Sequence, residues 1–385
     1  MMIYFDNSAT TYPKPMSVIS AVCAGVKNSS NPGRSGHTLS KKSGLEMEKC
    51  REIAGEMFGV ANPNNVAFTL NCTTALNMVI KGLIRPGDNV VTSCMEHNAV
   101  MRPLNKLEKQ GASYTVAKVY PGDNDKTVDS FRHAISEKTK LIVCTQASNV
   151  WGVRMPVERI AALAHAYDIP ILVDGAQSAG LIPIDVKKSG IDFLCLAGHK
   201  GLYGPMGIGM LITDKFEKLD TIIEGGTGTD SMILCQPDKM PQKFESGTPN
   251  IYGICGLRKG IEFVKSRGIE NIFEHEMKLV LYLYDSLKNI PSVKLYMPRP
   301  NRDNFVPLIS FNVGDYVSDY VGKILDFNGI EVRTGLHCAP LAHEFAGTSQ
   351  IGAIRVSPSV FNTRFEVDKL LSVIRRLDKS IVKED

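Results

Sequence analysis

The sequence predicts an α/β protein whose mostly parallel sheet is covered by helices on both faces. Short aliphatic runs, such as residues 65–70 and 89–94, alternate with amphipathic stretches such as 73–83 and 100–110. This alternation is typical of parallel strands joined by helices. Polar or glycine-rich loops follow the runs, at the strand ends where ligands bind in such sheets. The length of 385 residues exceeds one ordinary domain, so we expect two.

The composition is that of a soluble globular protein, with 43% hydrophobic and 22% charged residues. The net charge of +4 is small and no block of lysine and arginine occurs, so neither nucleic acid nor a membrane surface is predicted as a partner. The apolar stretches are shorter than a membrane span, and residues 1–6 do not resemble a signal peptide. We therefore expect a cytoplasmic protein.

The nine cysteines are scattered, without CxxC pairs or clustered histidines. This pattern predicts neither a disulfide framework nor a metal site, and it fits a reducing compartment. Cys338 follows a strand-like run in a segment flanked by glycine and proline, which favours exposure. The others are expected to be small buried residues: Cys23, Cys50, Cys94, Cys144, Cys195, Cys235 and Cys255; Cys72 is considered separately below.

The N-terminal half begins with a polar, turn-rich segment, residues 4–15, which predicts irregular structure. A helix over 16–27 comes next, and then a loop from residue 31 that leads into a helix over 42–58. The alternating region completes the large sheet and its covering helices. Its predicted strands are 65–70, 89–94, 113–119, 141–147, 169–174 and 193–196, and its predicted helices are 73–83, 100–110, 128–136 and 157–167.

The C-terminal part begins after residue 210, where the regular alternation of predicted strands and helices ends. A long helical region from 251 to 287 leads out of the large domain. The remaining residues predict a smaller α+β domain, with strands at 292–297, 306–313 and 330–335 and helices near 317–327 and 366–382. The predicted division is residues 1–14 as a segment near the active site, 15–255 as the large domain and 256–385 as the small domain.

Lys200 stands just beyond the strand at 193–196, with glycines on both sides. Partial desolvation there lowers the pKa of a lysine and makes its amine a nucleophile. The alternative is an ordinary solvated loop lysine. Asp174 ends another buried strand, which strengthens the first interpretation. An amine and a carboxylate at neighbouring strand ends suit pyridoxal phosphate, since its aldehyde binds an amine and its ring nitrogen an anion.

The segments DGAQSAG (174–180) and GHKGLYGPMGIG (198–209) resemble the class V aminotransferase family and, within it, the cysteine desulfurases. Further family motifs occur in the family's order: HTLS, EHNAV, SNVWG, FESGTPN, RTGLHC and RVS. The resemblance therefore covers nearly the whole chain. It implies a pyridoxal-phosphate-dependent transferase of fold type I, with a large and a small domain.

The resemblance also implies a cofactor site built from several strand ends. Cys72 and Thr73 match residues that contact the cofactor phosphate, at a helix start whose N–H groups suit an anion; on local sequence alone an ordinary helix cap is equally good. His97 matches a histidine that stacks on the cofactor ring and shuttles protons, although a lone histidine is more often structural. The other implied contacts within one chain are Asn149, Asp174, Gln177, His199 and Lys200.

Two segments imply a homodimer. Thr248, in FESGTPN, matches a threonine that reaches the cofactor phosphate of the other subunit, and residues 34–40 match a stretch that reaches the neighbouring active site. The chain departs from the family's pattern at Asn71, Thr74 and Ala197, where glycine, glutamate and serine are usual.

The segment RTGLHC places Cys338 where the second group of cysteine desulfurases, which includes selenocysteine lyases, has its persulfide-forming cysteine. The longer serine-rich cysteine loop of the other group is absent from the sequence. His337 is a candidate base for this thiol, but adjacent residues of an extended chain point to opposite faces, which disfavours the pair. Arg355 matches the arginine that clamps the substrate carboxylate through two parallel bonds. Asn149 and Arg333 are further implied substrate contacts.

The implied function is a cysteine desulfurase that converts L-cysteine to L-alanine and leaves a persulfide on Cys338 for an acceptor protein. Lys200 binds the cofactor and then removes the Cα proton, and the Cys338 thiolate attacks the substrate sulfur. One alternative is a selenocysteine lyase acting on L-selenocysteine in the same pocket. Another is a non-catalytic cofactor-binding scaffold, which Ala197 and the altered phosphate loop favour and the retained Lys200, Asp174 and Cys338 disfavour.

Overall fold

The structure, a computed structural model, describes residues 2–32 and 35–381. The strands in chain order are β1 (Ile3–Tyr4), β2 (Val66–Thr69), β3 (Asn89–Ser93), β4 (Ser113–Ala117), β5 (Thr139–Thr145), β6 (Ile171–Asp174), β7 (Phe193–Ala197), β8 (Gly209–Ile212), β9 (Val293–Leu295), β10 (Ile309–Val313), β11 (Ile330–Glu331) and β12 (Ile354–Val356). The helices are α1 (Met16–Asn28), α2 (Thr38–Phe58), α3 (Cys72–Leu83), α4 (Asn98–Glu108), α5 (Asn124–Ala134), α6 (Val157–His165), α7 (Ile251–Arg267), α8 (Ile269–Leu287), α9 (Ser318–Phe327), α10 (Pro340–Phe345) and α11 (Arg364–Ile381).

A seven-stranded sheet, in the order β2-β8-β7-β6-β5-β3-β4, forms the centre of the large domain. Strands β7, β6, β5, β3 and β4 are mutually parallel, and β8 runs antiparallel to both of its neighbours. Every residue of β2, β3, β6 and β7 is buried, because helices cover both faces of the sheet. The predicted mostly parallel sheet is thus confirmed, whereas β8 was missed because its glycine-rich sequence resembles a loop.

The parallel strands direct their carboxyl ends to one edge of this sheet. Thr145 at the end of β5 pairs with Asp174 at the end of β6, and Asp174 pairs in turn with Cys195 of β7. His97 follows β3 and immediately precedes α4. The loops that carry the predicted chemistry therefore converge in space although they are far apart in sequence.

The small domain contains an antiparallel sheet in the order β12-β10-β9. Strand β12 was not predicted. The expected strand over residues 330–335 is confirmed only in part: Ile330–Glu331 form β11, which pairs in parallel with β1, and Arg333 forms an isolated bridge with Arg355 of β12. The N-terminus thereby binds to the small domain by strand pairing. The predicted boundary at residue 255 lies inside α7 and stays a prediction.

Side chains and glycine set the helix boundaries. Helix α2 begins four residues earlier than predicted, because His37 Nδ1 accepts a hydrogen bond from Ser40 N at 3.3 Å and caps the first turn. It ends at Gly59, whose φ of 69° is left-handed and favours glycine. In the part of the chain that the structure describes, no helix is long and apolar enough to cross a bilayer.

The cysteines divide between core and surface. Cys50, Cys144, Cys195 and Cys255 are buried as predicted. Cys23 and Cys235 are exposed, contrary to the prediction, and Cys94 is half-buried. Helix α1 buries only Val18 and Gly25, so its outer face carries Cys23 into solvent. Cys235 lies in an exposed loop between β8 and α7.

Candidate active site

A cavity of about 230 Å³ lies at the carboxyl edge of the large sheet. Its walls come from strand ends of the large domain, from the N-terminal segment and from the small domain. Ten of the residues predicted from sequence line it: Cys72, Thr73, His97, Asn149, Asp174, Gln177, His199, Lys200, Arg333 and Arg355.

Lys200 and Asp174 place an amine and a carboxylate in the lining of the same cavity. Lys200 is half-buried, and burial lowers the pKa of its amine while the attraction of Asp174 opposes that shift. Asp174 is 4% exposed. Its Oδ1 accepts hydrogen bonds from Ala176 N at 2.9 Å and from Cys72 Sγ at 3.5 Å, which fixes the carboxylate. The pair thus offers a nucleophilic amine and a held anion.

The start of α3 is capped by Asn71, whose Oδ1 accepts hydrogen bonds from Thr74 N at 2.9 Å and from Thr74 Oγ1 at 3.1 Å. Strand β8 lies directly against this loop: a Cβ atom on Gly209 would lie 2.5 Å from the Asn71 carbonyl carbon. The Asn71 side chain accepts the hydrogen bond of the third N–H group of the helix. The N–H groups of the first two residues, Cys72 and Thr73, therefore stay available to bind an anion. An ordinary cap and a phosphate site are therefore compatible here.

His97 presents a neutral ring to the cavity. Its Nδ1 accepts a hydrogen bond from Ala99 N at 3.0 Å, so the neutral imidazole carries its proton on Nε2. Burial lowers the pKa of His97 to about 4, against the opposing attraction of Asp174. A neutral, flat imidazole suits stacking on an aromatic ring.

Four buried polar atoms of the cavity walls have no hydrogen-bond partner among the described residues. They are Asn149 Oδ1, His199 Nδ1, His337 Nε2 and Arg355 Nε. A buried polar atom without a partner costs free energy, and four of them in one cavity indicate a ligand with both donors and acceptors. Together with the amine, the carboxylate and the helix start, this donor set fits pyridoxal phosphate and an amino acid.

Arg355 is 1% exposed and lies where the N-terminal segment meets the small domain. Its Nη2 donates to Asp6 Oδ1 at 2.6 Å, and its Nη1 donates to Asn149 O at 2.8 Å. Backbone bonding to Arg333 holds the two arginines side by side. Asp6 was not singled out from the sequence, although it lies within residues 1–14, the segment predicted to be near the active site.

Glu96 is a second residue that the sequence did not single out. Its side chain is fully buried behind the cavity, where Oε1 accepts hydrogen bonds from Ser93 Oγ at 2.6 Å and from Thr145 N at 2.9 Å. Burial raises the pKa of this carboxyl to about 8. Its position immediately before His97 was the available signal.

Cys338 is exposed and follows the wall residue His337. Both have left-handed backbone, with φ of 51° and 55°, so the expectation of an extended chain is wrong at this point. The His337 ring is buried and its Nδ1 lies 3.2 Å from His343 Nε2, while burial lowers its pKa to about 2. A ring so weakly basic is a poor base for the thiol. The Cys338 carbonyl accepts a hydrogen bond from Asn98 N at 2.7 Å, which anchors it beside α4.

Thr248 does not line this cavity. It is exposed and lines a separate surface cavity near Phe68 and Phe244. Its predicted role in a second subunit requires a surface position, but that role stays a prediction. Arg34, in the other predicted interface stretch, lies outside the described residues.

A strand-end amine and carboxylate in an α/β fold with a smaller C-terminal domain define a class of cofactor-dependent enzymes, and comparison with known proteins identifies the family. The profile of the family described as Aminotransferase class-V matches residues 3–370. The chain therefore belongs to the class V aminotransferase family. As a family, these are pyridoxal phosphate enzymes.

Within this family, the chain is similar to cysteine desulfurases. The chain is 34% identical over 390 residues to a cysteine desulfurase of Escherichia coli O8 (strain IAI1), covering 98% of this chain and 94% of that relative. It shares the same identity and coverage with a cysteine desulfurase of Shigella sonnei (strain Ss046). The predicted resemblance is thus confirmed.

Solved structures are similar over nearly the full length. The apo cysteine desulfurase from Thermococcus onnurineus NA1 superposes with a TM-score of 0.90 at 32% identity, covering 98% of this chain and 95% of that one. The cysteine desulfurase CsdA from Escherichia coli, in an S-sulfonic acid form, gives 0.87 at 26% identity, covering 99% and 95%. These likenesses confirm the predicted fold class, α/β with the architecture of fold type I.

Proposed function

We propose that this chain is a pyridoxal-phosphate-dependent cysteine desulfurase that converts L-cysteine to L-alanine and carries the sulfur as a persulfide on Cys338. The observation that carries the proposal is one cavity that joins Lys200, Asp174 and Arg355, with an exposed cysteine following its wall residue His337. The cysteine desulfurases to which the chain is similar over nearly its full length support the same assignment. They also favour an enzyme over a non-catalytic scaffold.

Pyridoxal phosphate, when bound, supplies an aldehyde that holds an amino acid and a ring that stabilises negative charge at Cα. Asp174 would bind the ring nitrogen, and His97 would stack on the ring face. The phosphate would be held by the N–H groups of Cys72 and Thr73 and by His199, whose unpartnered Nδ1 is otherwise unexplained. Asn149 and Gln177 are the remaining polar contacts within the chain.

Arg355 would bind the carboxylate of L-cysteine, with Arg333 beside it. Its Nε is free of partners among the described residues, and its Nη2 is bonded to Asp6. The substrate carboxylate therefore shares or replaces that contact. Lys200 removes the Cα proton, because burial lowers the pKa of its amine and makes the neutral form accessible.

Cys338 performs the step that distinguishes this reaction. Its thiolate attacks the substrate sulfur, so that a sulfur–sulfur bond forms as the carbon–sulfur bond breaks. The electron pair of the broken bond goes to the substrate carbon, which takes up a proton and leaves as L-alanine. The two thiols thereby become one persulfide and one methyl group without an external oxidant. The exposure of Cys338 suits delivery of the persulfide to an acceptor protein.

The test is product analysis with the purified holoenzyme, L-cysteine and a reductant. We expect L-alanine and sulfide in equal amounts, and neither from Lys200→Ala. Failure of the wild-type holoenzyme to form alanine would reject the proposal.

Selenocysteine lyase activity is the second candidate. The observation that favours it is that Cys338 does not itself line the cavity, since selenium is a better leaving group and depends less on a nearby thiol. Comparison of kcat/KM for L-cysteine and L-selenocysteine decides between them. The homodimer, the acceptor protein and the cytoplasmic location stay predictions.

A further inference from the structure

The carbonyl oxygen of His199, immediately before Lys200, accepts four hydrogen bonds from the N-terminal segment. The donors are Thr11 N at 3.1 Å, Thr10 Oγ1 at 3.1 Å, Thr11 Oγ1 at 3.2 Å and Lys14 Nζ at 2.7 Å. A carbonyl oxygen has two lone pairs, so four donors on one oxygen mark an unusually constrained peptide. The shortest of the four comes from the only charged donor.

Lys14 is not an ordinary solvent-exposed surface lysine. It is half-buried, and its Nζ also donates to Thr11 Oγ1 at 2.6 Å. Among the described residues, no carboxylate forms an ion pair with it. Its charge acts on the His199 ring, whose pKa is lowered by burial, by Lys200 and by Lys14. Burial alone lowers the pKa of Lys14 to about 8.

The Lys14 ammonium binds the peptide that carries two side chains of the site, those of His199 and Lys200. The peptide between His199 and Lys200 carries both a cavity-lining imidazole and the cavity-lining amine. Thr11 Oγ1 also lies within bonding distance of Lys200 O, at 3.2 Å. A shift of this peptide would move both functional side chains together, and a misplacement of about 1 Å can cost about a hundredfold in rate.

We propose that Lys14 is a positioning residue for the reaction at Lys200: its ammonium, with the hydroxyls of Thr10 and Thr11, fixes the His199–Lys200 peptide and keeps a positive charge beside it. The kinetic part of this inference rests on the proposed function. Besides burial, which lowers the pKa of the Lys200 amine, Asp174 and Cys72 raise this pKa and Arg355 and Arg333 lower it. In this proposal the ammonium of Lys14 joins the charges that lower it, since like charges repel. Lys14 acts only through the His199–Lys200 peptide and this charge, because it does not line the cavity.

The experiment compares Lys14→Met, Lys14→Arg and a matched control, Lys27→Met, at an exposed lysine in the last turn of α1. In the full-length chain without cofactor, acetylation of Lys200 is followed by mass spectrometry as a function of pH. In the holoenzyme, kcat and KM for L-cysteine are measured.

For Lys14→Met we expect the labelling profile of Lys200 to move to higher pH and kcat to fall by about tenfold to a hundredfold with little change in KM. Lys14→Arg should restore the profile and most of kcat, and Lys27→Met should match the wild type. The proposal is overturned if Lys14→Met matches Lys27→Met, or if both Lys14 variants lose kcat with unchanged labelling, which is the result of a purely structural role. Absence of alanine from every protein would reject the proposed function, and the labelling would still decide the role of Lys14.

Discussion

Burial is the main cause of the pKa shifts of the ionisable side chains around the cavity. Removal from water lowers the pKa of Lys200, lowers that of His97 to about 4 and raises that of Glu96 to about 8. Burial thus favours the uncharged form of all three. At neutral pH, His97 and Glu96 are neutral, which limits the number of charges packed around Asp174.

Glu96 makes the stability of the folded chain depend on pH. Its carboxyl has an ordinary pKa of 4.5 when unfolded and about 8 when folded, so its stabilising contribution is complete below pH 4.5 and is lost as the pH rises through 8. Glu96→Gln keeps the shape without the charge. We expect the variant to gain stability relative to wild type between these values, by at most about 1.4 kcal/mol per pH unit.

Urea unfolding of both proteins without cofactor at pH 5, 6.5 and 8 measures this difference. Glu48→Gln, at an exposed position of α2, is the matched control and should show no such trend. A constant difference between Glu96→Gln and wild type across the three pH values would contradict the burial argument.

In the proposed mechanism, Cys338 separates a desulfurase from other members of the family, because the chemistry proposed at Lys200 is common to them. Cys338→Ala should still bind cofactor and L-cysteine, since Lys200 and Arg355 remain, but no persulfide should form and alanine release should stall. Trapping with a thiol-reactive probe and mass spectrometry measures the persulfide. With L-selenocysteine, activity should survive the substitution.

The control for this experiment is Cys23→Ala, which removes another exposed thiol, on α1 and outside the lining of the cavity. It should retain full activity. Wild-type desulfuration of L-cysteine by Cys338→Ala would show that Cys338 is not the nucleophile.

At the scale of elements, the proposed anion site depends on the contact between α3 and β8. Gly209 is required because a side chain there would meet the backbone of Asn71. Asn71 in turn caps α3 and keeps its first turn open toward the cavity. Neither role is visible in α3 alone, since β8 is distant in sequence.

Asn71→Ala removes the cap of α3. We expect a loss of about 1 kcal/mol in the free energy of unfolding, as is typical for a lost cap, and weaker binding of pyridoxal phosphate because the phosphate loop frays. Unfolding curves and cofactor titration measure the two effects. Asn62→Ala, which removes the Asn62 side-chain bond to Asn64 N in a short turn before β2, should affect stability alone. Unchanged cofactor affinity in Asn71→Ala would show that this helix start does not hold the phosphate.

At the scale of the molecule, the N-terminal segment joins the two domains through the site. Asp6 binds Arg355, Ser357 O accepts from Asn7 Nδ2 at 3.0 Å, and Thr11 reaches His199 O. The small domain supplies the arginines and Cys338, and the large domain supplies Lys200 and Asp174. We therefore expect substrate to bind where three parts of the chain meet.

The predicted homodimer is tested on the whole molecule. Thr248 lies on the surface outside its own chain's cavity, so a role at the phosphate requires a partner. We expect sedimentation as a dimer at micromolar concentration, and partial recovery of activity when Lys200→Ala is mixed with Arg34→Ala, since each subunit would complete the other's site. The separate variants are the controls. A fully active monomer would contradict the prediction.

The sequence was sufficient to predict those strands and helices whose residue pattern lies within one short segment. The strands that end at Asp174 and before Lys200 were predicted because buried parallel strands are continuous aliphatic runs. Strand β8 and the pairing of β11 with β1 were not, because glycine-rich and two-residue strands have no periodic pattern. The surface positions of Cys23 and Cys235 were missed because residue type alone does not fix the face on which a side chain lies.

The sequence by itself determined the family, the fold class and the identity of most residues around the cavity, because these follow from motifs and from the order of strands and helices. Only the tertiary structure decided which groups touch: the Asp6–Arg355 pair, the Cys72 thiol on Asp174, the His337–His343 contact and the four donors on His199 O. Each joins residues whose proximity no sequence motif encodes. Contacts of this kind depend on how distant segments pack, and packing sets the burial that shifts each pKa.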